Sequence, residues 1–428
     1  MTALAALGDA PGRVVRLTRA DARRALWRYH FTPDTVAGVA RRLGSIQYDP
    51  LAPLGRNPDL VLQARVPGYR IDDWQGATYC DRLLLDAWDK QVCLTLTDDW
   101  PARHVFHSWF AESWRARVFE PHADAVRATL EELDARGPLG TLDFTDQSVG
   151  GGLRGSWYGP KLVKHVLRAL WDSGQVVTHA REKGRHVYDL PARSLPEEVV
   201  RADPLPVDAA WTHLVSRRVQ AAGMLRPNAD ASVWFMPGRR STTNDAVRRA
   251  TEEGAVRAAE VEGVRFLAFP ELLRTLDDDA GTEGVRFLAP LDPLVWDRRG
   301  VAHLYGFEYV WEVYKPEVAR RWGYYVLPVL WQERFVARFD ARTEGDVLAM
   351  RAWHWEDDVA RGALPAGLEE ALEDAAVRFL AYLGATSIRL PRGMGRSARG
   401  VWQRAVARAR RGDVPTLPSV RAPVGDGR

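Results

Sequence analysis

The chain has 428 residues, 59 Lys and Arg against 56 Asp and Glu, a formal net charge of +3 and an apolar fraction of 46%. That length exceeds one ordinary core and predicts two to four domains. No apolar run reaches membrane-spanning length, the start lacks a basic segment before a hydrophobic one, and Cys80 and Cys93 lack CxxC spacing. Composition therefore predicts no membrane span, no signal peptide, no disulfide framework and a reduced cytoplasmic setting. Lys occurs only at positions 90, 161, 164, 183 and 315. The positive charge is thus almost all guanidinium, which grips phosphate bidentately and stacks on bases. The 17 Trp suit both core packing and base stacking.

In chain order, Thr18 caps a helix over Arg19 to His30. Thr32-Pro33-Asp34 opens a second, with Val36, Val39, Ala40 and Leu43 at helical spacing before Gly44. A strand at Ile46 to Asp49 follows, and helix, helix, strand is the opening of a winged helix. A second copy has a helix near Asp124 to Ala135, Leu142-Asp143-Phe144, a Gly-rich run at 150–155 and a helix Lys161 to Ser173. Strands Gln175 to His179 and Arg185 to Leu190 close it as a hairpin. The Gly-rich run lacks GK[ST] and a preceding strand, so it reads as a linker, not a phosphate loop. A third copy, set off by Asp203-Pro204-Leu205-Pro206, has helices at Asp208 to Ala222 and Asn244 to Glu253 and strands at Ala255 to Val261 and Val264 to Ala268.

Beyond Asp277-Asp278-Asp279 the pattern turns to strands at Val285 to Ala289, Tyr309 to Tyr314, Tyr324 to Trp331, Arg334 to Asp340 and Val347 to Trp355. Their spacing predicts a small antiparallel barrel finished by a helix from Gly367 to Leu383. The expected fold class is α+β, tandem winged-helix units followed by that barrel. The segments are 13–105, 106–200, 205–275, 285–390 and an Arg-rich, partly disordered tail at 391–428.

Gln47-Tyr48-Asp49 sets an amide and a carboxylate on one face of a strand, where both can hold one water. Asp49 equally suits a cap of the loop before Pro50. With this triplet and the repeated units, the chain resembles the winged-helix DNA glycosylases of the YcaQ/AlkZ type, which excise N7-alkylated purines and unhook interstrand crosslinks. The resemblance spans most of residues 13–390. It rests on Arg42-Leu43-Gly44 through Asp49, the segment from Trp157 to Val187-Tyr188-Asp189-Leu190-Pro191, and Leu288 to Arg298. Tyr305 to Tyr309, Tyr314-Lys315-Pro316 and Gly323 to Pro328 extend it. The chain departs from the family's pattern at Leu54 to Asp59 and Asp86 to Gln91.

The resemblance implies that Gln47 and Asp49 are catalytic: Asp49 stabilises an oxocarbenium-like sugar and activates water, and Gln47 orients it. No lysine lies in the motif to form a Schiff base, which implies a monofunctional enzyme leaving an abasic site. The alternative is a non-catalytic winged-helix DNA-binding or regulatory protein. The expected partner is double-stranded DNA containing alkylated or crosslinked purines, met by a monomer at the bacterial nucleoid with no cofactor and no metal.

Lys161, Lys164, His165 and Arg168 line the polar face of one helix, either solvated or on DNA phosphate. Tyr48, Asp292, Trp296 and Asp297 could border a lesion pocket, with Arg298 beside DNA, yet Asp292-Pro293 equally describes a turn and Trp296 a core plug. Seven Arg between 392 and 411, among them Arg399 and Arg404, precede the first acid at Asp413 and read as a nucleic-acid surface or a solvated face. HExxH, GxSxG and Cys/His metal spacings do not occur.

Overall fold

A computed structural model describes residues 14–149, 159, 161–234, 240–278, 281–360 and 364–418. The Gly-rich run at 150–155, Trp157, Asp279 and the last ten residues lie outside the described residues. The fold is mixed α and β, in two compact units. The described residues of Met1–Trp74, Ser216–Trp234 and Ala250–Arg428 form the first; those of Gln75–Val215 and Phe235–Arg249 form the second.

In the first unit, Thr18 and Asp21 close a reciprocal capping box on the helix Arg19–Phe31. The helix Val36–Leu43 is capped by Thr35 and stopped by Gly44, whose φ of 69° is left-handed. The strand that follows, Ser45–Gln47, is shorter than expected and leaves Tyr48 and Asp49 in the connecting loop. Strands Arg257–Val261 and Val264–Ala268 pair antiparallel around Glu262-Gly263, both at positive φ. Val15–Leu17 joins them in parallel, and Met224–Leu225 lies on the other side.

The strands near the C-terminus form an open five-stranded sheet and not a closed barrel: Val285–Phe287, Val326–Trp331, Arg334–Glu344, Val347–Trp355 and Ser387–Arg389 pair in that order. The segment Tyr309 to Tyr314, expected as a strand, has no ladder; Tyr309 instead spends its hydroxyl on the Val326 carbonyl at 2.5 Å.

The expected tail is an ordered part of the first unit over its described residues. The helix Arg396–Arg410 packs on the helix Leu368–Leu383. Its Trp402 is fully buried, stacking on Phe287 and meeting Phe339 and Trp353 edge-on. Alternation of apolar Ala398, Val401, Trp402 and Ala405 with Arg gives this helix a core face that the run of arginines masks.

The second unit holds the hairpin Leu84–Trp88 and Val92–Leu96, the helices Trp100–Trp114, Ala123–Arg136 and Leu162–Asp172, and a sheet of Leu139–Gly140, Arg185–Asp189 and Val177–Glu182. Lys183 and Gly184, both at positive φ, make its second hairpin turn. Asp172 organises this core: its two oxygens accept from the Trp88 and Trp114 indoles at 2.6 and 2.8 Å. Among the described residues, no helix is long and apolar enough to cross a membrane.

Candidate active site

Gln47 ends its strand and Asp49 lies two residues beyond; both are buried, at 7% and 9% exposure. Asn57 fixes the strand's exit by donating from Nδ2 to the Gln47 carbonyl at 2.7 Å, while its Oδ1 accepts from the Leu291 amide at 3.2 Å. Tyr48 is buried edge-on to Trp74, with ring centroids 5.9 Å apart. It wedges the loop in place.

Asp49 Oδ1 accepts from the Leu51 amide at 2.8 Å, so the loop-capping reading of the sequence is realised at one oxygen. Burial nevertheless raises its pKa above the usual carboxylate value, and the single backbone hydrogen bond only partly opposes this. Capping and acid–base chemistry are therefore compatible in one side chain.

The loop beyond Asp49 is tied down twice. Thr343 donates from its amide to the Pro53 carbonyl at 2.8 Å, and Tyr382 donates from its hydroxyl to the Leu54 carbonyl at 2.8 Å. Gly55 follows at φ +90°, where an added Cβ would sit 2.0 Å from the Tyr382 hydroxyl. Asp59 then caps the helix Asn57–Gln63 by accepting from the Arg56 amide at 2.8 Å, and also accepts from the Asp72 amide and the Tyr69 hydroxyl. Composition gave no hint of these anchors, because Tyr382 and Thr343 lie roughly three hundred residues away in sequence.

The expected lesion-pocket group is instead structural. Asp292 is fully buried and takes a bidentate pair from Arg65 at 2.8 and 2.9 Å. Trp296 is a core plug that donates to the Leu291 carbonyl at 2.9 Å. Asp297 pairs with Arg226 at 2.6 Å and caps the helix Arg298–Tyr305 through the Gly300 amide. Arg298, expected beside DNA, is half-buried, with its guanidinium over the Tyr309 ring at 4.3 Å and donating to the Pro290 carbonyl; desolvation lowers its pKa to about 10. Their charges mark a sealed polar core because partners such as Arg65 arrive from far along the chain.

The basic helix face is also corrected in part. His165 is buried, at 1% exposure, with Nε2 on the Gly159 carbonyl at 2.9 Å. Arg168 is drawn inward by Asp172 at 3.0 Å and lies over the Trp88 and Trp171 rings. Lys161 is half-buried against Gln147, and Lys164 is exposed. In the C-terminal helix, Arg404 pairs with Glu369 and Glu373 at 2.6 Å, and Arg399 donates to the Pro391 carbonyl. Acids on the packed helix supply what the local sequence lacks.

A cavity of about 1010 Å³ in the first unit is not lined by Gln47 or Asp49. Ion pairs such as Arg338–Glu356 and Arg334–Asp358 cross its lining and satisfy one another. No cluster of three or more His, Cys, Asp or Glu able to hold a metal occurs among the described residues.

A family profile described as DNA glycosylase AlkZ-like matches residues 40–382. The fold is similar to the solved structure of Streptomyces sahachiroi DNA glycosylase AlkZ, with a TM-score of 0.61 and 17% identity, covering 88% of this chain and 100% of that one.

Proposed function

Since the chain belongs to the AlkZ-like DNA glycosylase family and is a DNA glycosylase, we propose that it hydrolyses the N-glycosidic bond of N7-alkylated purines, as monoadducts or in interstrand crosslinks, with Gln47 and Asp49 as its catalytic pair. The buried Asp49 carboxyl carries this reading: one oxygen is held by the Leu51 amide, and burial makes the group a stronger base than an exposed aspartate.

The chemistry asks little of a general acid. N7 alkylation makes the purine cationic, so the C1′–N9 bond breaks with its electron pair neutralising the departing base. Asp49 sets negative charge beside the sugar as it becomes oxocarbenium-like. Water then adds its oxygen to C1′ and yields a proton to Asp49, while the Gln47 amide oxygen holds the second water proton. The product is an abasic site, and the reaction needs only water. The repeated helix and hairpin segments support a reading of winged-helix units that bring a monomer onto double-stranded DNA, in the cytoplasm at the nucleoid.

Excision is tested on duplexes carrying N7-methylguanine and, separately, a nitrogen-mustard crosslink, with alkali to break abasic sites. Strand breaks are expected with wild type and only background with Asp49→Asn. Equal cleavage by the two proteins, with DNA binding retained, would sink the assignment.

A further inference from the structure

Tyr325 is 1% exposed, yet its hydroxyl has no hydrogen-bond partner among the described residues. A hydroxyl buried without a partner forfeits its hydrogen bonds to water, so such a group calls for a physical reason. Disorder is not the reason, since the residue is held from several sides. The Tyr324 and Tyr325 amides donate to the two oxygens of Asp340 at 2.9 and 3.1 Å. Gly323 stands at φ +141°, and a Cβ there would meet the Asp340 carboxylate at 2.5 Å, so only glycine lets that clamp form. Tyr309 holds the next carbonyl, that of Val326, and the Trp311 ring lies edge-on to Tyr325.

This clamped turn opens the strand Val326–Trp331, which pairs with Arg334–Glu344. The latter strand carries Thr343, the residue that ties down Pro53 in the loop leaving Asp49. The sheet thus presents Tyr325 and anchors the Asp49 loop with the same two strands. The electrostatics agree: after burial itself, Asp49 is the foremost charge that keeps the Tyr325 phenol protonated, its pKa held well above the usual value. At any working pH the hydroxyl is a neutral donor.

We propose that Tyr325 is a further catalytic residue, its hydroxyl donating a hydrogen bond to the water that Asp49 activates. This inference rests on the assignment of Asp49 as the base. The geometry of water gives the hydroxyl its place. Asp49 and the Gln47 amide oxygen take the two water protons, and one lone pair faces C1′. One lone pair is left, and it can accept a hydrogen bond. Neither an ionised carboxylate nor an amide oxygen can donate. A phenol can, and this one lacks any competing acceptor among the described residues.

Tyr325→Phe removes only the oxygen and tests the proposal against Asp49→Asn in the same single-turnover excision assay on N7-methylguanine duplex. The expected result is a rate lowered roughly ten- to a hundredfold, affinity for the duplex unchanged, and a melting temperature unchanged or raised because an unpaired buried hydroxyl has gone. A wild-type rate for Tyr325→Phe beside an inactive Asp49→Asn overturns the Tyr325 inference alone. A rate loss matched by a fall in melting temperature or in DNA affinity also overturns it, since the hydroxyl would then be structural. Full excision by Asp49→Asn removes the base itself, and both readings fall together.

Discussion

Burial of Asp49, the base proposed above, costs stability, and the sign follows from its environment. Its folded pKa is raised by burial, so between the unfolded and folded values the native state binds more protons than the unfolded chain, and stability falls as pH rises through that window. Below both values the penalty is absent; above both it is complete. Asp49→Asn is therefore expected to melt at a higher temperature than wild type at neutral pH, with the difference closing under acid conditions, while its excision rate drops roughly a hundredfold or more. Calorimetry across pH and single-turnover kinetics read the two effects separately. If Asp49 is the base, the same raised pKa should put the acid limb of the wild-type rate profile above the usual aspartate range, because only the ionised form could accept the water's proton. Asp292 instead holds a buried partner in place. Removing it by Asp292→Ala leaves the fully buried Arg65 guanidinium without its counter-charge, at a cost of about 3–5 kcal/mol. Urea unfolding should register that loss, whereas a lesion-pocket residue would lower excision and leave the unfolding midpoint in place.

At the scale of elements, the loop from Asp49 to Gly55 is as much a part of the proposed site as the side chains it carries. Gly55→Ala would drive a Cβ into the Tyr382 hydroxyl at a backbone angle that disfavours any side chain. Excision is expected to fall along with stability, and adding Tyr382→Phe should restore part of both by removing the clashing oxygen, a double-mutant cycle that shows coupling. None of this was legible in the sequence. The caps at Thr18 and Gly44, the hairpin closed at Lys183-Gly184 and the Gln47-Tyr48-Asp49 motif could be seen because each is encoded within a few residues. The loop anchors and the Asp292 pair could not, because their partners are hundreds of residues away. The arginine-rich helix misled for the same reason. Read alone it lacks acids, but Glu369, Glu373 and Asp374 meet Arg404 and Arg408 across the helix pair. Trp402→Ala should accordingly cost about 3–5 kcal/mol in unfolding experiments, as a core truncation does, where a disordered tail would lose nothing.

For the whole molecule, the balance of 59 basic against 56 acidic side chains means that grip on DNA depends on which cations remain unneutralised, not on their total. Arg168, Arg404 and Arg408 are each committed to carboxylates, Arg65 is buried, and half-buried Arg298 is turned onto the Tyr309 ring and the Pro290 carbonyl. Lys164 is exposed and, unlike those arginines, is neither buried nor ion-paired among the described residues. Each phosphate neutralised by such a charge steepens the fall of affinity with salt by about 0.9 in a double-logarithmic plot. Lys164→Ala should therefore weaken duplex binding at low salt and flatten that slope by about one. Arg404→Ala should leave the slope intact, since its exposed pairs with Glu369 and Glu373 already screen it and are worth at most about 1 kcal/mol of stability. Arg168→Ala should leave the slope intact as well and lower the melting temperature, because it strips a partner from the buried Asp172. Fluorescence anisotropy across a salt series decides among these. If Arg404→Ala flattened the slope as much as Lys164→Ala, the ion pairs on the C-terminal helix would have to open on DNA, and the count of available cations would rise accordingly.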